Sequence, residues 1–189
     1  CRMDLEPGIS VIVPCLNEEE SIRQVIEAAR AGIASANLPG EVIVVDNGST
    51  DRSAGIASAA GARVLQEARP GYGVTIRKGF ASARHEILVM GDADLTYDFT
   101  RISDLVTPIV EGRADFVVGN RMSGIRPGAM PLLNRYVGNP VLSMMLRFLF
   151  GCRSIGDTQC GLRAIRKESY DRLNCMTTGM EFATEMIIR

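Results

Sequence analysis

Short apolar runs and apolar residues at helical spacing alternate along the first two thirds of the chain. Ile9-Ser10-Val11-Ile12-Val13 is rich in β-branched residues and is stopped by Pro14, which predicts a buried strand. Asn17, with Glu20 three residues on, has the spacing of a capping box. It precedes a helix that carries Ile22, Val25, Ile26, Ala29 and Ile33 on one face and is broken at Pro39-Gly40. Glu41 to Val45 reads as a second strand, with Val42-Ile43-Val44-Val45 apolar on both faces, as a strand inside a parallel sheet must be. A polar loop, 46–51, leads into a short Ala-rich helix ended by Gly61. The pattern then predicts a strand over 62–65, a loop and helix over 71–84, and a strand over 86–90. A helix marked by Phe99, Ile102, Leu105, Val106 and Ile109 should be kinked by Pro108, and a strand follows over 115–119.

Strands alternating with helices imply a doubly covered, parallel α/β sheet with right-handed crossovers. Ligands of such sheets sit beyond the carboxyl ends of the strands. The polar clusters fall there: Pro14–Glu18, Asp46–Asp51, Asp92–Asp94 and Asn120-Arg121 each follow a predicted strand. After Gly124 the pattern changes. Pro127, Gly128 and Pro131 make a loop, Tyr136 to Phe150 reads as an amphipathic helix, the stretch 155–165 carries Asp157-Thr158-Gln159-Cys160-Gly161-Leu162-Arg163, and a last helix begins near Glu181. There is no repeat and no linker, so 1–189 reads as one domain. It opens without methionine and stops inside an apolar helical pattern, as expected of a piece cut from a longer protein.

Charge changes this picture more than composition does. The net charge of −1 makes general nucleic-acid affinity unexpected, yet residues 1–112 hold 10 basic and 16 acidic residues while 113–172 hold 10 basic and 4 acidic. The later stretch is therefore +6 and suited to an anion. Of the chain's 21 basic residues all but Lys78 and Lys167 are arginines, the better bidentate phosphate ligands, although a GC-rich genome would give the same bias. Five cysteines without a CxxC spacing point to free thiols in a reducing compartment. A single histidine, His85, placed at a helix end, excludes a His-rich metal site. The most apolar stretch, Val141 to Phe150, is broken by Arg147 and too short to span a bilayer.

Two clusters carry candidate chemistry. Asp92 and Asp94 stand at i and i+2, which on an extended chain puts both carboxylates on one side, within reach of one Mg²⁺ or Mn²⁺ ion. Asp46 ends a strand and suits a nucleobase or ribose, while Ser49 and Asp51 read as turn and cap residues. No GxGxxG follows the first strand, and Gly71-Tyr72-Gly73 alone does not specify a dinucleotide site. Cys15 and Cys160 are placed to line the site, but no histidine lies near them in sequence to make a thiolate nucleophile.

Val13-Pro14-Cys15-Leu16-Asn17-Glu18-Glu19, Val45-Asp46-Asn47-Gly48-Ser49-Thr50-Asp51, Gly91-Asp92-Ala93-Asp94-Leu95, Gly119-Asn120-Arg121 and Asp157–Arg163 occur in the order seen in family 2 glycosyltransferases. Over residues 9–189 the chain resembles that family, and within it the dolichol-phosphate mannose synthases and bacterial polyprenyl-phosphate glucosyltransferases. The resemblance implies a GT-A fold, a Rossmann-like, mostly parallel sheet flanked by helices. It implies that Pro14, Leu16, Asn17 and Glu18 line the nucleoside, with Glu18 on the ribose. It places Asp46 on the base, Gly48 among the donor-binding residues, and Asp92 and Asp94 on a metal held against the donor diphosphate. Arg121, Arg135 and Arg163 match the family's arginines, and Asp157 its acidic position. Thr96 stands where mannose synthases often carry Gln or Ser, so the sugar stays open between glucose and mannose types.

The expected activity is inverting transfer of a hexose from a nucleoside-diphosphate sugar to a polyprenyl phosphate. Such an acceptor is already largely ionised, with a second pKa of about 6, and needs little help from a base. A hydroxyl acceptor would make Asp157 the candidate base. The helix over 136–150 fits either a core position or an interfacial one beside Arg135, Arg147 and Arg153. With the implied lipid acceptor, the expected location is cytoplasmic, peripheral at the cytoplasmic membrane face. Two other classes stay open: a nucleotidyltransferase, which would be expected to carry a Gly-rich basic loop where Pro14–Glu19 stands, and a non-catalytic module, which would be expected to have lost the paired aspartates or the arginines.

Overall fold

The structure is a computed structural model and describes residues 6–119 and 160–189. Arg121, Arg135, Asp157 and the helix expected over 136–150 lie outside the described residues. Six strands form one sheet in the order β3-β2-β1-β4-β6-β5. They are β1 (Glu6–Cys15), β2 (Gly40–Asp46), β3 (Arg63–Gln66), β4 (His85–Met90), β5 (Phe116–Val118) and β6 (Arg163–Arg166). The helices are α1 (Ile22–Ser35), α2 (Ser53–Ala59), α3 (Tyr72–Ser82), α4 (Ile102–Val110), α5 (Lys167–Leu173) and α6 (Phe182–Ile188), with a 3₁₀ turn at Phe99–Arg101.

Neighbouring residues of each central strand feed opposite faces. Val11, Val13, Val42, Val44, Ile87 and Val89 pack with Ile22, Val25 and Ile26 of α1 and Ile102, Val106 and Ile109 of α4. Ile12, Ile43, Val45, Leu88 and Met90 pack with Ile76 and Phe80 of α3 and Phe182 and Met186 of α6. This is why the runs read as continuously apolar, and each such fully buried side chain contributes about 1.5–3 kcal/mol. Phe80, Tyr170 and Phe182 lock α3 to α5 and α6, the first two rings meeting edge-on at 4.6 Å.

The sheet is mostly parallel, as expected; among the described strands β6 alone runs antiparallel, between β4 and β5, with Met90 opposite Arg163 and Val118 opposite the same residue. It lies at the end of the 155–165 stretch, where no strand was expected, because four residues flanked by arginines show no apolar run. Asn17 does not cap α1. That helix starts at Ile22 with Ser21 as its cap residue and no side-chain cap bond, while Asn17 takes a left-handed φ of 57°. His85 opens β4 rather than ending a helix, and it is buried at the strand end away from Asp92. Pro108 sits in the last turn of α4, which stops two residues on.

Candidate active site

The carboxyl ends of β1, β2 and β4 share one rim. Because β6 is antiparallel, it starts at the rim where they finish, so Cys160-Gly161 join the loops after Cys15, Asp46 and Met90. One inverted strand thus brings the Cys160–Arg163 segment beside the paired aspartates.

The first two loops are strapped together. Asn17 N–H donates to Ser49 Oγ (2.9 Å), and Thr50 N–H donates to Asn17 Oδ1 (2.8 Å). Glu18 N–H donates to Ser53 Oγ (2.7 Å) and Glu19 N–H to Asp51 Oδ2 (3.1 Å). The Ser53 hydroxyl in turn donates to Asp51 and, ahead of its backbone bonds, holds that carboxyl below the usual range. Glu18 is half-buried and accepts from Ser21 Oγ (2.9 Å), whereas Leu16 is 54% exposed at the rim. Pro14 is half-buried, and Gly48 is exposed at φ 90° with open space where a Cβ would stand.

Asp46 is 3% exposed and accepts from Ser49 N–H at 3.3 Å. The loop continues into Asn47, whose side chain donates to the carbonyls of Glu67 and Arg69 (both 2.8 Å) and accepts from Gly71 N–H (3.0 Å). Arg69 closes this segment on Glu67, and its hydrogen bonds hold the Glu67 carboxyl down to about 2. The β2 loop thereby fixes the chain entering α3.

Residues 93–95 bend, with Leu95 at φ 63°, so the paired aspartates stand on a turn rather than on extended chain. Asp94 is exposed and accepts from Thr96 N–H at 3.0 Å. Asp92 is half-buried and accepts from the Tyr72 hydroxyl at 3.1 Å. Burial, and then the Asp92 charge, push the Tyr72 hydroxyl well above its ordinary range, so it stays a donor. Gly161 N–H donates to the Tyr97 hydroxyl (2.8 Å), and a Cβ on Gly161 would stand 2.9 Å from Asp92 Oδ2.

Arg163, expected among the catalytic residues, lies in the interior at 1% exposure. Its guanidinium donates to Cys160 O (2.8 Å) and to Ala183 O, and its charge acts on Tyr72 from within. Cys15 and Cys160 are both buried rather than lining an open surface, and burial first of all pushes the Cys15 thiol up to about 11. Tyr72, Tyr97 and Gly161 were not singled out by sequence. The Gly71-Tyr72-Gly73 signal was there, but its partner at Asp92 is set by the fold alone. Among the described residues no three His, Cys, Asp or Glu side chains cluster for a metal, and no helix is long and apolar enough to cross a membrane.

The model of glycosyl transferase family 2 matches residues 10–173. A low-salt glycan biosynthesis hexosyltransferase, Agl6 of Haloferax volcanii, is 40% identical over 98% of this chain and 45% of its own length. The dolichyl-phosphate hexose transferase of the same organism is 33% identical over 96% of this chain and 75% of its own. The undecaprenyl-phosphate 4-deoxy-4-formamido-L-arabinose transferase of Pectobacterium carotovorum is 33% identical over 85% and 49%. Among solved structures, glucosyl-3-phosphoglycerate synthase of Mycobacterium tuberculosis, in complex with Mn²⁺, UDP-glucose and phosphoglyceric acid, superposes with a TM-score of 0.71 at 28% identity, over 94% of this chain and 62% of that one. The chain thus spans about half the length of the first curated relatives it matches, 45% and 59%.

Proposed function

Since the chain belongs to glycosyl transferase family 2 and has the GT-A fold, we propose that it transfers a hexose, with inversion, from a nucleoside-diphosphate sugar to a polyprenyl phosphate. The observation that carries this reading is the shared rim, where buried Asp46, the strapped Asn17–Glu18 loop and the Asp92–Asp94 turn follow the carboxyl ends of β2, β1 and β4. The relatives named for dolichyl- and undecaprenyl-phosphate transfer support the lipid acceptor, and the neighbour that binds UDP-glucose supports the donor class.

Asp46 receives the base, its burial making the contact selective, and Glu18 receives the ribose. Pro14, Leu16, Asn17 and Gly48 shape the nucleoside bed. Asp92 and Asp94 would hold Mg²⁺ or Mn²⁺, hard ions that favour carboxylate and phosphate oxygens. When bound, such an ion neutralises the charge that develops on the leaving diphosphate. Arg121 and Arg135, carried over from the family resemblance, hold phosphate oxygens of the donor and acceptor. The acceptor phosphate attacks the anomeric carbon through an oxocarbenium-like transition state, and Asp157 orients sugar or acceptor. Arg163 acts from the interior, where its positive charge lies beside Tyr72. The domain is cytoplasmic and meets its acceptor at the membrane surface.

The test is transfer from labelled UDP-glucose and GDP-mannose to a short polyprenyl phosphate with Mn²⁺. Labelled lipid is expected, and Arg135→Ala should raise the KM for polyprenyl phosphate more than that for the nucleotide sugar. The phosphoglyceric acid bound by the structural neighbour favours a second reading, a soluble acceptor. Efficient transfer to a water-soluble alcohol or phosphorylated acid, with none to the lipid phosphate, replaces the first reading by the second.

A further inference from the structure

Tyr72 opens α3, and its hydroxyl reaches Asp92 Oδ1 at 3.1 Å. What holds that end of α3 in place comes from two distant parts of the chain. On one side, Gly71 N–H donates to Asn47 Oδ1 in the loop after β2. On the other, Val74 N–H donates to Thr178 O at 3.2 Å. The 176–178 segment presses on α3 so closely that a Cβ on Gly71 would meet Thr178 O at 2.5 Å, and one on Gly73 would meet Thr177 O at 2.7 Å. Gly71 also has φ 135°, which side chains rarely adopt.

That segment is itself clasped. Glu185 of α6 is buried, and its carboxylate accepts from Met176 N–H (3.1 and 3.0 Å), Thr177 N–H (2.9 Å) and the Thr177 hydroxyl (2.6 Å). A chain of contacts therefore runs from α6 through residues 176–178 to the first turn of α3 and on to Asp92. A phenylalanine would fill the space of the Tyr72 ring as well; the hydroxyl is the part that engages the carboxylate.

We propose that Tyr72 is a positioning residue for a metal-binding carboxylate: its hydroxyl fixes how Asp92 is turned, and Glu185, by clasping residues 176–177 against α3, fixes Tyr72. The inference rests on the proposed role of Asp92 as a metal ligand. A carboxylate held through one oxygen keeps its orientation when an ion arrives, and removing such an outer partner typically costs 10–100-fold in metal affinity.

The test separates metal binding from nucleotide binding. Mn²⁺ is titrated into the purified protein with saturating UDP and followed by electron paramagnetic resonance, and UDP affinity in EDTA is measured by calorimetry. Tyr72→Phe should bind Mn²⁺ about tenfold more weakly while its metal-free UDP affinity stays within about twofold of wild type. Equal loss of both affinities marks a merely structural tyrosine and overturns the proposal, as does unchanged Mn²⁺ affinity. Glu185→Gln should show the same split at a smaller size, about two- to threefold, and carries the test alone if the first variant does not fold; unchanged Mn²⁺ affinity there also overturns the proposal. Asp92→Asn is the control. Wild-type Mn²⁺ binding by that variant overturns the metal role of Asp92 itself, which tells failure of the underlying reading apart from failure of the role given to Tyr72.

Discussion

Asp46 and Asp94 sit on the same rim at opposite extremes of exposure, and their replacements should separate accordingly. Asp46 is almost fully buried, so Asp46→Ala removes an acceptor from a place where water does not easily replace it. Its UDP affinity should fall by about 1–3 kcal/mol, read by calorimetry, and an unchanged affinity would reduce Asp46 to a turn residue. Asp94 is exposed and makes its hydrogen bond within its own turn. Asp94→Ala should keep the wild-type melting temperature and lose Mn²⁺-dependent transfer; full activity, or wild-type activity that persists in EDTA, removes the metal role. Glu185 makes a prediction in pH. The Thr177 hydroxyl first, with the backbone donors around it, lowers its carboxyl from the ordinary 4.5 to about 2. A depressed folded-state pKa stabilises the protein fully above 4.5 and loses that stabilisation as pH falls from there toward 2. Melting temperature followed over this window should drop, and Glu185→Gln should drop less steeply.

The strap between the loops after β1 and β2 is a single unit built around Ser53, which is fully buried. Its hydroxyl donates to Asp51 and accepts from Glu18 N–H, so Ser53→Ala leaves a backbone donor and a carboxylate short of partners. A loss of about 1–3 kcal/mol in chemical denaturation is expected, together with weaker UDP binding. This unit also marks the limit of reading along the chain. Ser49, Asp51 and Asn17 all look like local caps, because Asn, Asp and Ser cap their own helices so often. Here Asn17 is spent on Thr50 and Ser49 on Asn17, thirty-odd residues apart, a pairing that no local window contains. The strands β1, β2 and β4 were legible because burial on both faces forces a continuous apolar run. Strand β6 was not, because Arg163 and Arg166 flank two apolar residues and its partners lie far away in sequence. Asp92 was legible by its spacing to Asp94, whereas Tyr72 and Gly161 become neighbours of Asp92 only once α3 and β6 are in place.

At the scale of the whole molecule, a nucleoside diphosphate that binds the native state and not the unfolded chain should raise stability by about 2.7 kcal/mol at a hundred times its dissociation constant, so UDP with Mn²⁺ is expected to give a higher melting temperature. No shift with any nucleoside diphosphate would count against the donor site. The +6 stretch from 113 to 172 leads to a further expectation. Binding to anionic vesicles should weaken with salt, since each basic residue near such a surface contributes about 1 kcal/mol, and weaken further when Leu146 and Phe150 are both made polar. The inverted strand has a consequence for how the protein is made. At synthesis rates of about 5–20 residues per second, β4 leaves the ribosome several seconds before β6, roughly 75 residues behind it. Until then the apolar edge of β4 has no neighbour on that side, and β5, which among the described strands pairs with β6, has no place in the sheet. Among the described strands it is Arg163–Arg166 that pairs with this edge, so nascent chains arrested near residue 160 are expected to expose a strand edge of the kind that recruits other chains.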